Sequence, residues 1–190
     1  MPFRKKLPKM CPKGTDKYTA YDVIKSSMQK SSKKAFAIDD SQYLMAFDSF
    51  ARAKETGYGK FTDMAVNFKN LISFVIDELS EDVIVYFLHH VETSESGKIK
   101  AKTIGKMLDS QLTVEGLFSI VLLCIADRDT HKFVTQSDGY STAKSPGDWN
   151  ENDKFVPLFE KEISNDLKFV DTEIRKYWDL KIPVKIESEK

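Results

Sequence analysis

Apolar residues are spaced in two ways along this chain, and the two spacings alternate. Tyr18, Tyr21, Ile24 and Met28 recur at threes and fours, which predicts a helix from Tyr18 to Lys30 with Asp16 as its N-cap. Phe61, Met64, Ala65, Phe68, Leu71, Ile72, Val75 and Leu79 repeat in the same way and predict the longest helix, over Tyr58 to Leu79. Leu167, Val170, Ile174 and Tyr177 form the stripe of a last helix over Leu167 to Trp178. The other spacing is continuous. Ala35 to Ile38 is a short apolar run bounded by lysines, and Val83 to Leu88 is a β-branched and aromatic run of the kind buried on both faces of a sheet. Val114 to Ile125 reads as a further apolar element, with a strand centred on Ser119 to Ile125.

The remaining stretches are punctuation and polar segments. Pro2, Pro8, Pro12 and Gly14 make Met1 to Thr15 a loop or extended arm. From Ser41 the composition turns helical, Thr93 to Gly97 is a turn, and Lys98 to Leu108 is a basic segment. Lys132 to Gln136 and Tyr140 to Ala143 flank Ser137-Asp138-Gly139, which predicts a small hairpin with an Asp-Gly turn. A polar loop follows Pro146 and Gly147. Strands alternating with helices argue for an α/β fold.

Composition narrows the class. The 190 residues suit one domain with a sizeable core, and 41% hydrophobic with 31% charged residues describes a globular chain. Leu117 to Ala126, the longest apolar run, falls short of the ~20 residues a membrane span needs, and no apolar stretch of a secretory signal follows the N-terminal basic residues, so cytoplasmic residence is expected. Cys11 and Cys124 lack metal-ligand spacing and read as reduced thiols, Cys124 in the core and Cys11 in a loop. Net charge is zero, yet the first 34 positions hold ten lysines and arginines, among them Arg4, Lys5 and Lys6, against Asp16 and Asp22. Such an arm can gather phosphates, as in single-stranded DNA, or be solvated surface.

The candidate chemistry sits at strand ends. Asp39 and Asp40 end one predicted strand, and His89 and His90 end the next. In a parallel sheet the ligand crevice lies beyond the carboxyl ends, so neighbouring strands would bring these four polar groups to one rim. One carboxylate there can hold Mg²⁺ through water while the other orients the attacking water of phosphoryl transfer; the bland alternative is that the acids serve as a helix N-cap. Adjacent histidines on a strand point to opposite faces, which suits one polar sensor better than a zinc site. Lys98, Lys100, Lys102 and Lys106 form the second basic cluster, suited to phosphates of a nucleotide or of single-stranded DNA, or to solvent. Phe133, Tyr140 and Trp149 are candidates for base stacking, although aromatics at these spacings are more often core.

From Met1 to Trp178 the chain resembles the phage RecA-like AAA-type ATPases of single-strand annealing and recombination. The matching blocks include Pro2 to Pro8, Ile38-Asp-Asp-Ser-Gln-Tyr-Leu-Met45, Gly57-Tyr-Gly-Lys-Phe-Thr62, Val85 to His90, Lys100 to Asp109, Glu115 to Val121, Thr135-Gln136, Ala143-Lys-Ser-Pro146 and Asn165 to Asp171. The resemblance implies a mostly parallel RecA-like sheet flanked by helices, ATP and Mg²⁺ as ligands, single-stranded DNA as partner, and homo-oligomers. It makes Asp39 the Walker B carboxylate on the magnesium side and Asp40 its neighbour near the catalytic water. His89 or His90 becomes the sensor, and Lys102 and Lys106 the candidates for DNA contact or for reaching a nucleotide. The domain plan it implies is a basic arm over 1–17, a core over 18–146, and a C-terminal loop and helix over 147–190.

One part of the pattern is missing. No Gly-x-x-x-x-Gly-Lys-Ser/Thr loop occurs, and the Gly-Lys pairs at Gly59, Gly97 and Gly105 are followed by Phe61, Ile99 and Met107. Family members begin with a strand, phosphate loop and helix, so this chain is expected to start after that unit and not to hydrolyse ATP alone. The open sheet edge would then invite a complementing N-terminal fragment or another copy. Ser145 to Trp149 also departs from the family's loop.

Overall fold

The computed structural model describes residues 19–105, 107–110 and 112–180, which form two compact units. The first comprises the described chain up to His90 together with Ala101–Val114, and the second Val91–Lys100 together with the chain from Glu115 onward. The whole is mixed α/β, built on several small sheets. Among the described residues no helix is long and apolar enough to cross a membrane.

In the first unit, α1 (Thr19–Gln29), β1 (Ala35–Ile38), α2 (Gln42–Ala51), α3 (Gly59–Glu78), β2 (Ile84–Phe87) and the short α4 (Met107–Ser110) follow in order. The threes-and-fours stripe of α3 forms its core. Met64, Phe68, Leu71 and Ile72 are buried there, joined by Met45 from α2 and Tyr21 and Met28 from α1. Each such side chain contributes roughly 1.5–3 kcal/mol by leaving water. Arg52 closes α2, and its buried guanidinium reaches Glu55 and Asp63, each at 2.8 Å, which ties the helix end to the first turns of α3.

β1 and β2 pair in parallel, Ala35 opposite Ile84 and Ile38 opposite Phe87. A broad, mostly parallel sheet is not formed by the described strands: this sheet has two members. For that reason β2 is half-buried along its length and not enclosed on both faces, and Leu88 beyond it is exposed.

In the second unit, β3 (Val91–Thr93) pairs with β4 (Ile99–Ala101), whose last residue belongs to the first unit. A 3-10 turn covers Val114–Leu117. β5 (Leu123–Asp127), β6 (Thr130–Val134) and β9 (Glu162–Ser164) make a three-stranded antiparallel sheet in the order β5-β6-β9. β7 (Gly147–Trp149) and β8 (Phe155–Pro157) form an antiparallel pair, and α5 (Leu167–Tyr177) is the last element of the described chain. Asp166 caps α5, accepting from the amides of Lys168 and Phe169.

Several expectations are corrected here. The hairpin predicted across Asp138-Gly139 does not form, because β6 turns back at Arg128-Asp129 to pair with β5, with Arg128 in the left-handed region at φ 50°. Asp138-Gly139 is a self-contained turn. The Asp138 carboxylate accepts the Tyr140 amide, and the Ser137 hydroxyl accepts the Gly139 amide and donates to the Ser141 carbonyl, so side chains satisfy groups a ladder would have used. The strand expected over Ser119 to Ile125 begins only at Leu123, Val121 making an isolated bridge to Lys144. Cys124 is exposed, not core, since alternation turns Leu123 and Ile125 toward the interior side and Cys124 outward. The stretch after Gly147, read as loop, is the β7–β8 pair; a Cβ on Gly147 would overlap the Val156 carbonyl, so glycine is what lets these strands approach.

Candidate functional site

The parallel pairing of β1 and β2 makes their following residues neighbours. Asp39 leaves β1 and stands exposed, and its side chain makes no hydrogen bond or ion pair among the described residues. Asp40 turns the chain in the left-handed region at φ 52°, a conformation aspartate enters more readily than most residues. The turn aims its carboxylate at the end of β2, where Oδ1 lies 3.0 Å from Nε2 of His90. Both side chains are more than half open or nearly so, and such a pair contributes at most about 1 kcal/mol. The Tyr43 ring meets the His90 ring edge-on at 6.0 Å.

Next to this open pair along the chain, a set of hydrogen bonds is anchored on the buried Ser41 and Gln42. Ser41 is fully buried; its amide donates to the Leu88 carbonyl at 2.8 Å, and its hydroxyl lies 3.1 Å from the same oxygen and 2.8 Å from Nδ1 of His89. Nε2 of His89 is 2.7 Å from the Lys102 carbonyl. A carbonyl only accepts, so Nε2 carries the proton toward Lys102, while the single Ser41 hydroxyl proton is shared between two competing acceptors, the Leu88 carbonyl and Nδ1 of the neutral ring. The amide of Lys102 donates to the His90 carbonyl at 2.9 Å, and Oε1 of the buried Gln42 accepts the His90 amide at 3.2 Å. The His89 ring also rests against Phe68, 5.9 Å between centroids. Core packing of α3 thus reaches the strand ends through one ring.

Of the four residues expected at one rim, Asp40 and His90 meet, His89 turns to Ser41, and Asp39 stands exposed with no hydrogen bond or ion pair to the other three, the two histidines pointing apart as adjacent strand residues do. The lysines are placed differently. Lys102 takes part through its backbone, with an exposed side chain. Lys98 is exposed, while Lys100 lies 3.4 Å from Glu92 on the paired strand. The basic run is divided between the two units after Lys100. Lys106, Arg4, Lys5 and Lys6 lie outside the described residues. Of the aromatics weighed for stacking, Tyr140 and Trp149 are exposed rather than core, and Phe133 is half-buried.

Ser41 and Gln42 were missed by sequence reasoning. The signal was present in their position: a hydroxyl and an amide directly after two strand-end acids, at the start of a helix, where backbone groups need partners. As to metal, no cluster of three or more histidine, cysteine, aspartate or glutamate side chains occurs among the described residues. By donor chemistry, Asp39 and Asp40, adjacent in sequence, would be the residues to hold Mg²⁺, which keeps several waters and takes one or two carboxylates plus substrate phosphate. Comparison with family models, curated proteins and solved structures found no match to the chain.

Proposed function

We propose that this chain carries the carboxylate side of a RecA-like Mg-ATP site in a phage-type recombination or annealing protein acting on single-stranded DNA, with the phosphate-holding loop contributed from outside these 190 residues. The observation that supports it is the parallel neighbourhood of β1 and β2, at whose carboxyl ends the Asp40 carboxylate meets His90. In this reading Asp39 holds Mg²⁺ through water, Asp40 orients a water, and His90, tethered to Asp40, senses the phosphate side. Mg²⁺, when bound, neutralises phosphate charge. The Ser41–His89–Lys102 lock holds the turn that presents both carboxylates.

The test is hydrolysis by reconstitution. The chain alone is expected to show negligible ATP hydrolysis; a polypeptide bearing a RecA-type strand, phosphate loop and helix should restore it, and Asp39→Asn should then lower the rate by about 100-fold or more. No restoration, or full activity in Asp39→Asn, defeats the reading.

A non-hydrolytic reading, single-stranded DNA binding, draws on the exposed Lys98 and Lys102. Oligothymidylate affinity should fall with salt, and replacing Lys98, Lys102 and Lys106 by Ala should flatten the log–log slope by about 0.7 per lost phosphate contact. An unchanged slope removes these lysines from any DNA surface.

A further inference from the structure

Between the residue after β4 and the end of β2 runs a chain of three hydrogen-bond contacts with an acceptor at each end. Nε2 of His89 lies 2.7 Å from the Lys102 carbonyl, Nδ1 lies 2.8 Å from the Ser41 hydroxyl, and that hydroxyl lies 3.1 Å from the Leu88 carbonyl. All four residues belong to the first unit. Carbonyls supply no proton, so the three links need three protons from the imidazole and the hydroxyl. A neutral ring and one hydroxyl bring two. A doubly protonated ring brings the third: Nε2–H donates to Lys102, Nδ1–H to the Ser41 oxygen, and the Ser41 hydroxyl to Leu88. The Leu88 carbonyl also takes the Ser41 amide at 2.8 Å, and its two lone pairs serve both donors.

We infer that His89 is a proton-operated clamp: its second proton completes this chain and fastens the Lys102 segment to the turn ending at Ser41, and loss of that proton releases one link. The neighbours pull in both directions. From α3 comes the Phe68 ring, 5.9 Å between centroids, with apolar Met64, Leu71 and Ile72 on the same stripe; half-burial against it works against a charge. From α2 comes the uncharged Gln42, which accepts the His90 amide. The turn carries the carboxylates of Asp39 and Asp40, the end of β2 carries His90, ion-paired to Asp40 at 3.0 Å, and the segment after β4 carries Lys102 with its side chain exposed. On the favourable side stand the two links that the ring itself donates, since hydrogen bonds from an ionised donor are roughly twice as strong as neutral ones. With a neutral ring the hydroxyl satisfies one acceptor only by deserting the other.

The sign of the pH dependence follows. A ring that holds its second proton more tightly in the folded chain adds stability below the unfolded value of about 6.5, and that contribution disappears as pH rises through the higher folded value. This inference does not rest on the nucleotide reading, and its test contains no nucleotide, metal or DNA.

Proton–nitrogen correlation NMR of the histidine rings in the full 190-residue chain, titrated between about pH 5 and 9, reads the ring directly. His89 should carry its proton on Nε2 when neutral, and Ser41→Ala should lower its midpoint by about half a unit or more. The Lys102 amide, which donates to the His90 carbonyl at 2.9 Å, reports the clamp. Its hydrogen exchange, corrected for the intrinsic rate, should quicken several-fold as His89 loses its proton, and should stay level over the same range in His89→Gln. A neutral ring protonated on Nδ1, a midpoint that Ser41→Ala leaves in place or raises, or Lys102 exchange indifferent to the His89 titration overturns the proposal. If Ser41→Ala does not fold, Ser41→Cys, whose thiol accepts only weakly, takes its place with the same expected fall and the same overturning result.

Discussion

The two units stabilise themselves by different means. The first places a 20-residue helix against short parallel strands and buries Met45, Met64, Phe68, Leu71 and Ile72 almost completely. In the second, strands of three to five residues and a run of turns leave Val134, Ala143, Phe159, Val170 and Ile174 as its buried apolar set, and Thr135, Ser141 and Arg175 are buried among them. Short strands cannot cover much apolar area, so hydrogen bonds take a larger share. Thr135 donates to the Glu160 carbonyl at 2.7 Å and Gln136 to the Phe159 carbonyl at 3.1 Å, fastening the chain after β6 to the chain before β9. The difference teaches where each unit is vulnerable: the first to lost volume, the second to lost polar partners.

The largest effect should come from the first unit. Phe68→Ala removes a fully buried ring that also touches Phe87 and His89, and should cost about 4 kcal/mol in urea unfolding. Hydrogen exchange should show amides of α3 and β2 losing protection. A cost below about 1 kcal/mol would mean that the helix stripe is not the organising core, and the contrast between units would collapse.

A smaller effect is expected from the second. The Arg175 side chain is fully buried and Asp171, one helical turn earlier, holds its Nε at 2.8 Å. On an open helix such a pair contributes a few tenths of a kcal/mol. Here Asp171→Ala deprives a buried guanidinium of its carboxylate and should cost about 2 kcal/mol, while Asp171→Leu with Arg175→Met should recover most of it. Chemical denaturation of the three proteins reads the difference. If the double variant is as unstable as Asp171→Ala, the guanidinium matters through contacts other than this charge pair, and the polar account of the second unit loses its main support.

What could be read from the sequence follows from the same contrast. Helical spacing needs many residues and gives many matches, so α1, α3 and α5 were visible nearly to their ends, and the lysine-bounded run at Ala35 to Ile38 coincided with β1. The second unit consists of strands too short to display a period. Its β5–β6 reversal uses Arg128 at positive φ, where Gly or Asn would have advertised a turn, while the Asp138-Gly139 signal marks a turn without strands. At the candidate site the nearness of Asp40 and His90 was legible because both follow strand ends. Ser41, Gln42, Arg52 and Arg175 were not, since polar residues count as surface in any hydrophobic pattern and their burial depends on partners far along the chain.

The smallest effect is a pH dependence at the other end of the parallel pair. Asp40 and His90 join the carboxyl ends of β1 and β2; Lys34 and Asp82, just before the same strands, join their amino ends at 2.7 Å. The hydrogen bond from Lys34, then that from the Ser80 hydroxyl, holds the Asp82 carboxyl below its ordinary value. A depressed carboxyl in the folded protein means that the unfolded chain binds the proton first. The contribution of this pair is therefore complete above the unfolded value of about 4 and disappears as pH falls through the lower folded value. Unfolding free energy of wild type and Asp82→Asn, measured from pH 6 downward, should differ by a constant amount until about pH 4 and then converge. Lys34→Met should show the same convergence, since it removes the leading cause of the shift. Curves that stay parallel into acid would mean that Lys34 does not hold Asp82, leaving the amino ends of the two strands to the Ile84 amide, which donates to the Lys34 carbonyl at 3.0 Å.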